Sequence, residues 1–488
     1  MLVCFIIAPL REASANNVRI TNLTVHPYSG GDGEVEFDLA WDNSWRSTTE
    51  PYNWDAVWVF AKIRRNGGDW THLNLKSTGH TIPQSPQALT TALGLVDTGA
   101  AYNASTNPYV GMFVYRTNDG FGGVTANDMR LRWNYADNGA SSGDVVEIRV
   151  VGIEMVYIPQ GAFYAGDGNS TTSSRFRDTS DTTSGPWYIT SENAITTSTT
   201  SPYYFPSVFT IPADFPKGYG AFYMAKGELS QAAYMAFFNT LTSTQKSTRD
   251  ITGNHATYEG KNTDTISVRN NLSWSGSGEM TLNGGTHGGV AMTFLAWADL
   301  TAYLDWAGLR PMSELEYEKA GRGSRGVSSP VAAVAGEYAW GSTSITRATS
   351  ITDSGLASER GQIGSNCAGA PGPLRVGSFA KGVSTRQASG AGFYGVMELS
   401  GNVWERAVTV GHTSFQGRNH GNGLLESTGE ANVTTWPGTS GYGAGLRGGN
   451  WNYADSHARL SARFEAESTW ARRNGYGGGG GRGVRSAP

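Results

Sequence analysis

Charge is scarce in this chain of 488 residues: Asp, Glu, Lys and Arg together make up 16%, and the formal net charge is −4. So small a balance offers no basic footprint for nucleic acid and no polybasic attraction to an anionic membrane. Long hydrophobic runs are missing too, and none approaches the roughly 20 residues that a membrane-spanning helix needs. Cysteine is limited to Cys4 and Cys367. If the N-terminal segment is processed, Cys367 stands alone, which excludes an internal disulfide and reads as a small buried side chain.

Glycine and aromatic residues are plentiful instead: 65 Gly, 15 Trp, 22 Tyr and 18 Phe. Together with abundant Ser and Thr they point to short strands, many turns and much ordered loop. Low-complexity disorder would lack such large apolar side chains. The length exceeds what one core organises, so two domains are expected. The first residues carry an export signature. Leu2 to Leu10 is a short apolar run, and Ala13-Ser14-Ala15 fits the small-x-small pattern before a signal-peptidase cut, although a basic start is missing. Residues 1–16 are therefore expected to be a signal segment, with an N-terminal strand as the alternative. Export implies an extracellular or cell-surface location.

Residues 17–152 read as β throughout. Val18 to Val25, Val35 to Leu39, Val57 to Phe60 and Val145 to Val150 alternate at period two, and Asn66-Gly67-Gly68-Asp69 between such runs signals a hairpin. An antiparallel sandwich is predicted. Residues 153–488 form the second expected domain. Met155 to Phe163 is a strand, a turn and a second strand. Ser230 caps a predicted helix over Gln231–Leu241, another runs from about Phe294 to Trp306, and Ser313 with Glu316 is a capping box that opens a third. From Gly321 onward the pattern is loops and short strands rich in Gly and Trp.

Five blocks of this second region resemble, in order, the formylglycine-generating-enzyme (sulfatase-modifying factor) family: Met155–Phe163, Tyr223–Leu241, Leu309–Gly323, Gly392–Arg406 and Leu446–Val484. Leu309-Arg310-Pro311-Met312-Ser313-Glu314-Leu315-Glu316-Tyr317 resembles the family's R-L-P-T-E-x-E-W-E-Y run. Gly401-Asn402-Val403-Trp404-Glu405 resembles its G-N-V-W-E-W, Arg447-Gly448-Gly449-Asn450-Trp451 its R-G-G-S-W, and Gly481 to Arg485 stands where G-F-R is usual. The resemblance implies a C-type-lectin-like α+β fold, with a core of buried Trp and Gly turns.

Chemistry does not follow from fold. The family's oxidases resemble one another in a cysteine pair shortly after the R-G-G-aromatic turn, where soft thiolates select monovalent copper. Arg447 to Pro488 contains no cysteine. Iron-dependent relatives, the ergothioneine-type sulfoxide synthases, use a three-histidine site on a helical domain. Here His26, His72, His80, His255, His287, His412, His420 and His457 form no i, i+4 pair. Neither copper nor iron is expected, and no catalytic residue is assigned. The resemblance does imply a structural calcium, held by Glu398, the carbonyls of Gly401 and Val403, and Glu405. Such hard oxygen donors suit that ion.

The tail mixes frame residues (Gly448, Gly449, Trp451, Leu460, Ala462, Gly483 and Val484) with residues suited to contact. The latter are Tyr453, Asp455, His457, Arg459, Arg463, Glu465, Glu467, Trp470, Arg472, Arg473, Asn474 and Tyr476. Tyr, Trp and Arg dominate binding hot spots because each offers a rigid area with a polar end. The layout resembles the variable proteins of diversity-generating retroelements, whose adenine-directed mutagenesis yields compositions like Arg472-Arg473-Asn474-Gly475-Tyr476. The expected function is a non-catalytic, secreted or surface-displayed binding protein. Its partner would be a protein or glycan at an extracellular surface, with no nucleic acid, no membrane insertion and self-association left open. The alternatives are a structural subunit of an extracellular assembly and an enzyme of the sulfatase-modifying family with an unrecognised site.

Overall fold

The computed structural model describes residues 3–4, 17–27, 31–82, 88–95, 109–141, 143–168, 175–177, 185–196, 210–253, 260–361, 372–380, 385–411, 418–466 and 479–488. The fold is rich in β-structure, with several antiparallel sheets and a few short helices.

The first part contributes β1 (Arg19–Pro27), β2 (Asp32–Arg46), β3 (Asp55–Arg65), β4 (Trp70–His72), β5 (Leu89–Leu95), β6 (Tyr109–Arg116), β7 (Gly120–Asn134) and β8 (Val145–Ile158). The predicted hairpin joins β3 to β4, with Gly68 N donating to Arg65 O. One sheet has the order β1-β2-β7. A larger one continues through β9 (Phe222–Ala225) and β10, the C-terminal strand Val484–Ser486, in the order β10-β9-β8-β3-β6-β5. The two-residue strand Val3–Cys4 lies parallel to β8.

Alternation along β3 explains the layering. Val57, Val59, Ala61 and Ile63 point into one apolar cluster with Val35, Phe37, Leu39 and Trp41 of β2 and with Leu131 and Trp133 of β7. Ala56, Trp58 and Phe60 point the other way, into a second cluster shared with the helices. Both faces of β3 are buried, so its sequence is a nearly continuous apolar run.

The boundary expected between residues 152 and 153 falls inside β8. That strand pairs over Val146–Val156 with β3 and over Met155–Ile158 with β9. The sequence reads as two strands there because Gly152 interrupts the apolar run. Gly152 is packed against Val18, Val57 and Ile20, which leaves no room for a side chain. The junction is sealed further by Trp58 Nε1 donating to Ala307 O (2.8 Å) and by the Trp54 and Tyr157 rings, stacked at 3.8 Å.

Three capped helices follow the sequence signals: α1 (Gln231–Phe238), α2 (Trp297–Trp306) and α3 (Glu314–Arg322). Ser230 Oγ accepts from Ala233 N, and Ser313 with Glu316 closes the capping box. Tyr234, Phe237 and Phe238 of α1 pack with Leu300, Tyr303 and Trp306 of α2. Loops between these elements are tied by buried ammonium groups. Lys319 Nζ donates to the carbonyls of Pro159, Gly161 and Gly218, and Lys62 Nζ to those of Trp306 and Gly423. Among the described residues, no helix is long and apolar enough to cross a membrane.

Candidate ligand-binding surface

The tail is built against α3 by buried charge. Glu314 accepts from Arg463 at 2.9 and 2.7 Å and from Arg447 at 3.4 Å. Glu318 accepts from Arg447 and from Arg322, and Arg322 reaches on to Glu337 at 2.6 Å and Ser461 Oγ at 2.7 Å. Burial pushes the Glu314 carboxyl up, but Arg463 and Arg447 outweigh it and hold the group below the usual carboxylate range. Arg463 also lies over the Phe176 ring, at 3.9 Å. This corrects the expectation that Arg463 meets a ligand: its side chain is fully buried, because Glu314 on the facing helix needs a cation.

A small sheet carries the outer face. Its strands are Trp404–Val408, Ala444–Arg447 and Gly479–Gly480, with Trp404–Val408 in the middle. The R-G-G turn then reverses the chain, with φ of +86° at Gly448 and +68° at Gly449, a region that favours glycine. Gly401 N donates to Gly448 O and Trp451 N to Asn402 O, so the two motifs lock together. Trp451 is buried with Ala291, Val376 and Val403, and Leu460, Ala462 and Val484 are buried as well.

On this frame four rings meet. Trp404 lies edge-on to Tyr453 at 5.2 Å and to His457 at 5.8 Å; Tyr453 and His457 are 5.3 Å apart, and His457 reaches Phe464 at 4.9 Å. The cluster grades outward, from buried Trp404 through half-buried Tyr453 and His457 to exposed Phe464. Trp404 Nε1 has no hydrogen-bond partner among the described residues. Burial holds the His457 imidazole below its ordinary value, so the ring is neutral near pH 7. Asp455 beside it pairs with Arg347 at 2.6 Å. Arg459 and Glu465 are half-buried, and burial pushes the Glu465 carboxyl up. Glu467, Trp470, Arg472, Arg473, Asn474 and Tyr476 lie outside the described residues.

Of the expected contact residues, Tyr453 and His457 lie in this cluster; Trp404 and Phe464, which were not among them, lie there too. In sequence Trp404 stands out only as a member of the G-N-V-W-E motif. Phe464, between Arg463 and Glu465, carries the usable signal of a large apolar side chain in a charged stretch.

The model of the sulfatase-modifying factor enzyme 1-like domain matches residues 148–478. The chain belongs to this family. The match opens inside β8 and takes in α1, α2, α3 and the aromatic face. Among solved structures, Treponema denticola variable protein 1 aligns at 12% identity with a TM-score of 0.30, covering 69% of this chain and 96% of that one. No curated protein matches the chain.

The chain's two cysteines are Cys4 and Cys367, and neither follows the R-G-G turn. Among the described residues, no group of three or more His, Cys, Asp or Glu is placed to hold a metal. The two carboxylates expected around calcium, Glu398 and Glu405, have other partners. Both oxygens of Glu405 accept from Arg482. Glu398 Oε1 accepts from Gly377 N at 2.8 Å, while its Oε2 has no partner among the described residues. Glu228, which the sequence reading did not single out, accepts from the Asn402 side chain and, at 3.0 Å, from Val403 N. Burial raises the Glu398 carboxyl to about 7 against the pull of Arg482, and burial with the charges of Glu405 and Glu398 pushes the Glu228 carboxyl well above the usual carboxylate range. A cavity of about 60 Å³ beside Glu228 and Arg482 is lined also by Glu154, Lys226 and Tyr303.

Proposed function

We propose that this protein is a non-catalytic binding protein that meets a protein or glycan through the face carrying Trp404, Tyr453, His457 and Phe464. In this reading a sandwich built on β1–β8 presents a lectin-like domain, and the chain is exported to the cell surface or beyond. The observation that carries it is the graded aromatic cluster, which runs from buried Trp404 through half-buried Tyr453 and His457 to exposed Phe464. Flat rings offer stacking area to a sugar ring or an apolar side chain. Residues 467–478 adjoin that face in sequence at both ends, between Ala466 and Gly479. On the retroelement reading they are the segment that varies. A comparison of this gene among sibling cells would then find substitutions clustered after Arg447.

The test is a variant carrying Tyr453→Ser, His457→Ser and Phe464→Ser, assayed on glycan and cell-surface-protein arrays beside the wild type. The expected result is an unchanged melting temperature with loss of the wild-type array signal. Array signals equal to wild type would refute the assignment of this face. Large assemblies of the wild type in solution, with no array signal, would favour a structural subunit.

A further inference from the structure

Buried carboxylates demand compensating charge, and the donor set around Glu405 shows where it comes from. Arg482 is 1% exposed. Its guanidinium gives two bonds to Glu405, the one to Oε1 at 2.7 Å, and others to the carbonyls of Ala225 (3.1 Å), Lys226 (3.2 Å) and Met397 (2.8 Å). Of the groups that the resemblance assigns to calcium, Glu405 alone is among these partners; three other peptide oxygens join it around the guanidinium, hard donors of the kind that ion takes. We infer that Arg482 is the resident cation of Glu405 and takes up the carboxylate that the G-N-V-W-E resemblance would give to calcium.

The backbone fixes that role. Gly481 O accepts from Leu229 N and Gly483 O from Ala225 N, both at 2.9 Å, so the chain on either side of Arg482 is held rigidly. A Cβ on Gly481 would lie 2.5 Å from Leu300, and one on Gly483 would lie 2.5 Å from Leu304. The segment therefore runs flush against α2, and Arg482 is the one side chain it can project, toward Glu405. Little is left for a second ion. Each oxygen of Glu228 already accepts a bond, and Glu398 offers a single unpartnered oxygen. Calcium takes six to eight oxygens.

The experiment uses the full-length protein, with calcium chloride and EGTA as probes and melting temperature as the readout. Wild type is expected to melt at the same temperature in either. Arg482→Ala is expected to melt lower, on the order of 10 °C, because it leaves Glu405 buried and uncompensated. Millimolar calcium should then recover part of the loss, and adding Glu405→Gln should remove that recovery. A wild-type melting point that falls in EGTA or rises with calcium would overturn the inference. So would an Arg482→Ala protein that melts like wild type or ignores calcium. If Arg482→Ala does not fold, direct titration of calcium into wild type decides: no binding is expected, and one ion bound per chain overturns the assignment.

Discussion

Replacing Arg463 with alanine separates two roles that look alike in sequence. In the structure Arg463 supplies two of the bonds to Glu314; the substitution leaves that carboxylate the Val410 N–H at 3.0 Å and, as cation, Arg447 at 3.4 Å, itself engaged with Glu318. Breaking a buried pair by removing one partner costs about 3–5 kcal/mol, since the other charge stays buried without compensation. At about 2 °C per kcal/mol for a chain of this size, the melting temperature should fall by about 6–10 °C. Arg463→Met with Glu314→Gln should recover much of this, because no orphaned charge remains. Tyr453→Ser, on the partly exposed face, should stay within about 0.5 kcal/mol of wild type. Differential scanning fluorimetry on the four proteins, with array binding in parallel, provides the assay. If Arg463→Ala melts like wild type yet loses binding, Arg463 is a contact residue and the buried network is misread.

Three further outcomes follow from other sites. Asp55 is raised to about 7 by burial, against the charge of Lys226 and its bonds from Ser44 and Trp45. A carboxyl with a raised folded value contributes stability that is full below its unfolded value, about 3.9, and is lost as pH rises toward 7. Asp55→Asn should flatten that part of a chemical-denaturation pH series, and an unchanged slope would count against the shift. Trp451→Ala should cost about 3–5 kcal/mol and reduce soluble yield, since the ring packs with Ala291, Val376 and Val403; a soluble variant with wild-type melting would show the ring to be dispensable. Aerobic incubation with copper and a sulfatase-type cysteine peptide should leave the peptide mass unchanged, and an aldehyde-sized mass loss would establish oxidase activity.

What the sequence disclosed and what it hid divide along physical lines. Helix starts were legible because Ser230 and Ser313 cap through neighbours three residues away, a distance that sequence contains. The alternation in β3 was legible as a strand, and Trp451 as core, because apolar identity reports burial. The pairings of Glu314 with Arg463 and of Glu405 with Arg482 were not legible. They join residues far apart in the chain, and a charged side chain ordinarily signals surface. Trp404 was hidden differently: it stood out only as a member of the G-N-V-W-E motif, and nothing local shows that Tyr453 and His457 pack against it. The run of β8 through residue 152 was obscured by a glycine whose cause, the approach of Val18 and Val57, lies in another strand.

That uninterrupted strand has a mechanical consequence. Force applied across the junction between β1–β7 and the helices meets a continuous strand. It passes through β8, where Val146–Val156 is laced to Asp55–Arg65 by antiparallel hydrogen bonds and Met155–Ile158 to β9. Bonds loaded across their length yield together rather than one at a time. The two parts of the molecule should therefore behave as one stiff lever under tension, and a cut at residue 152 would break the lever along its grain.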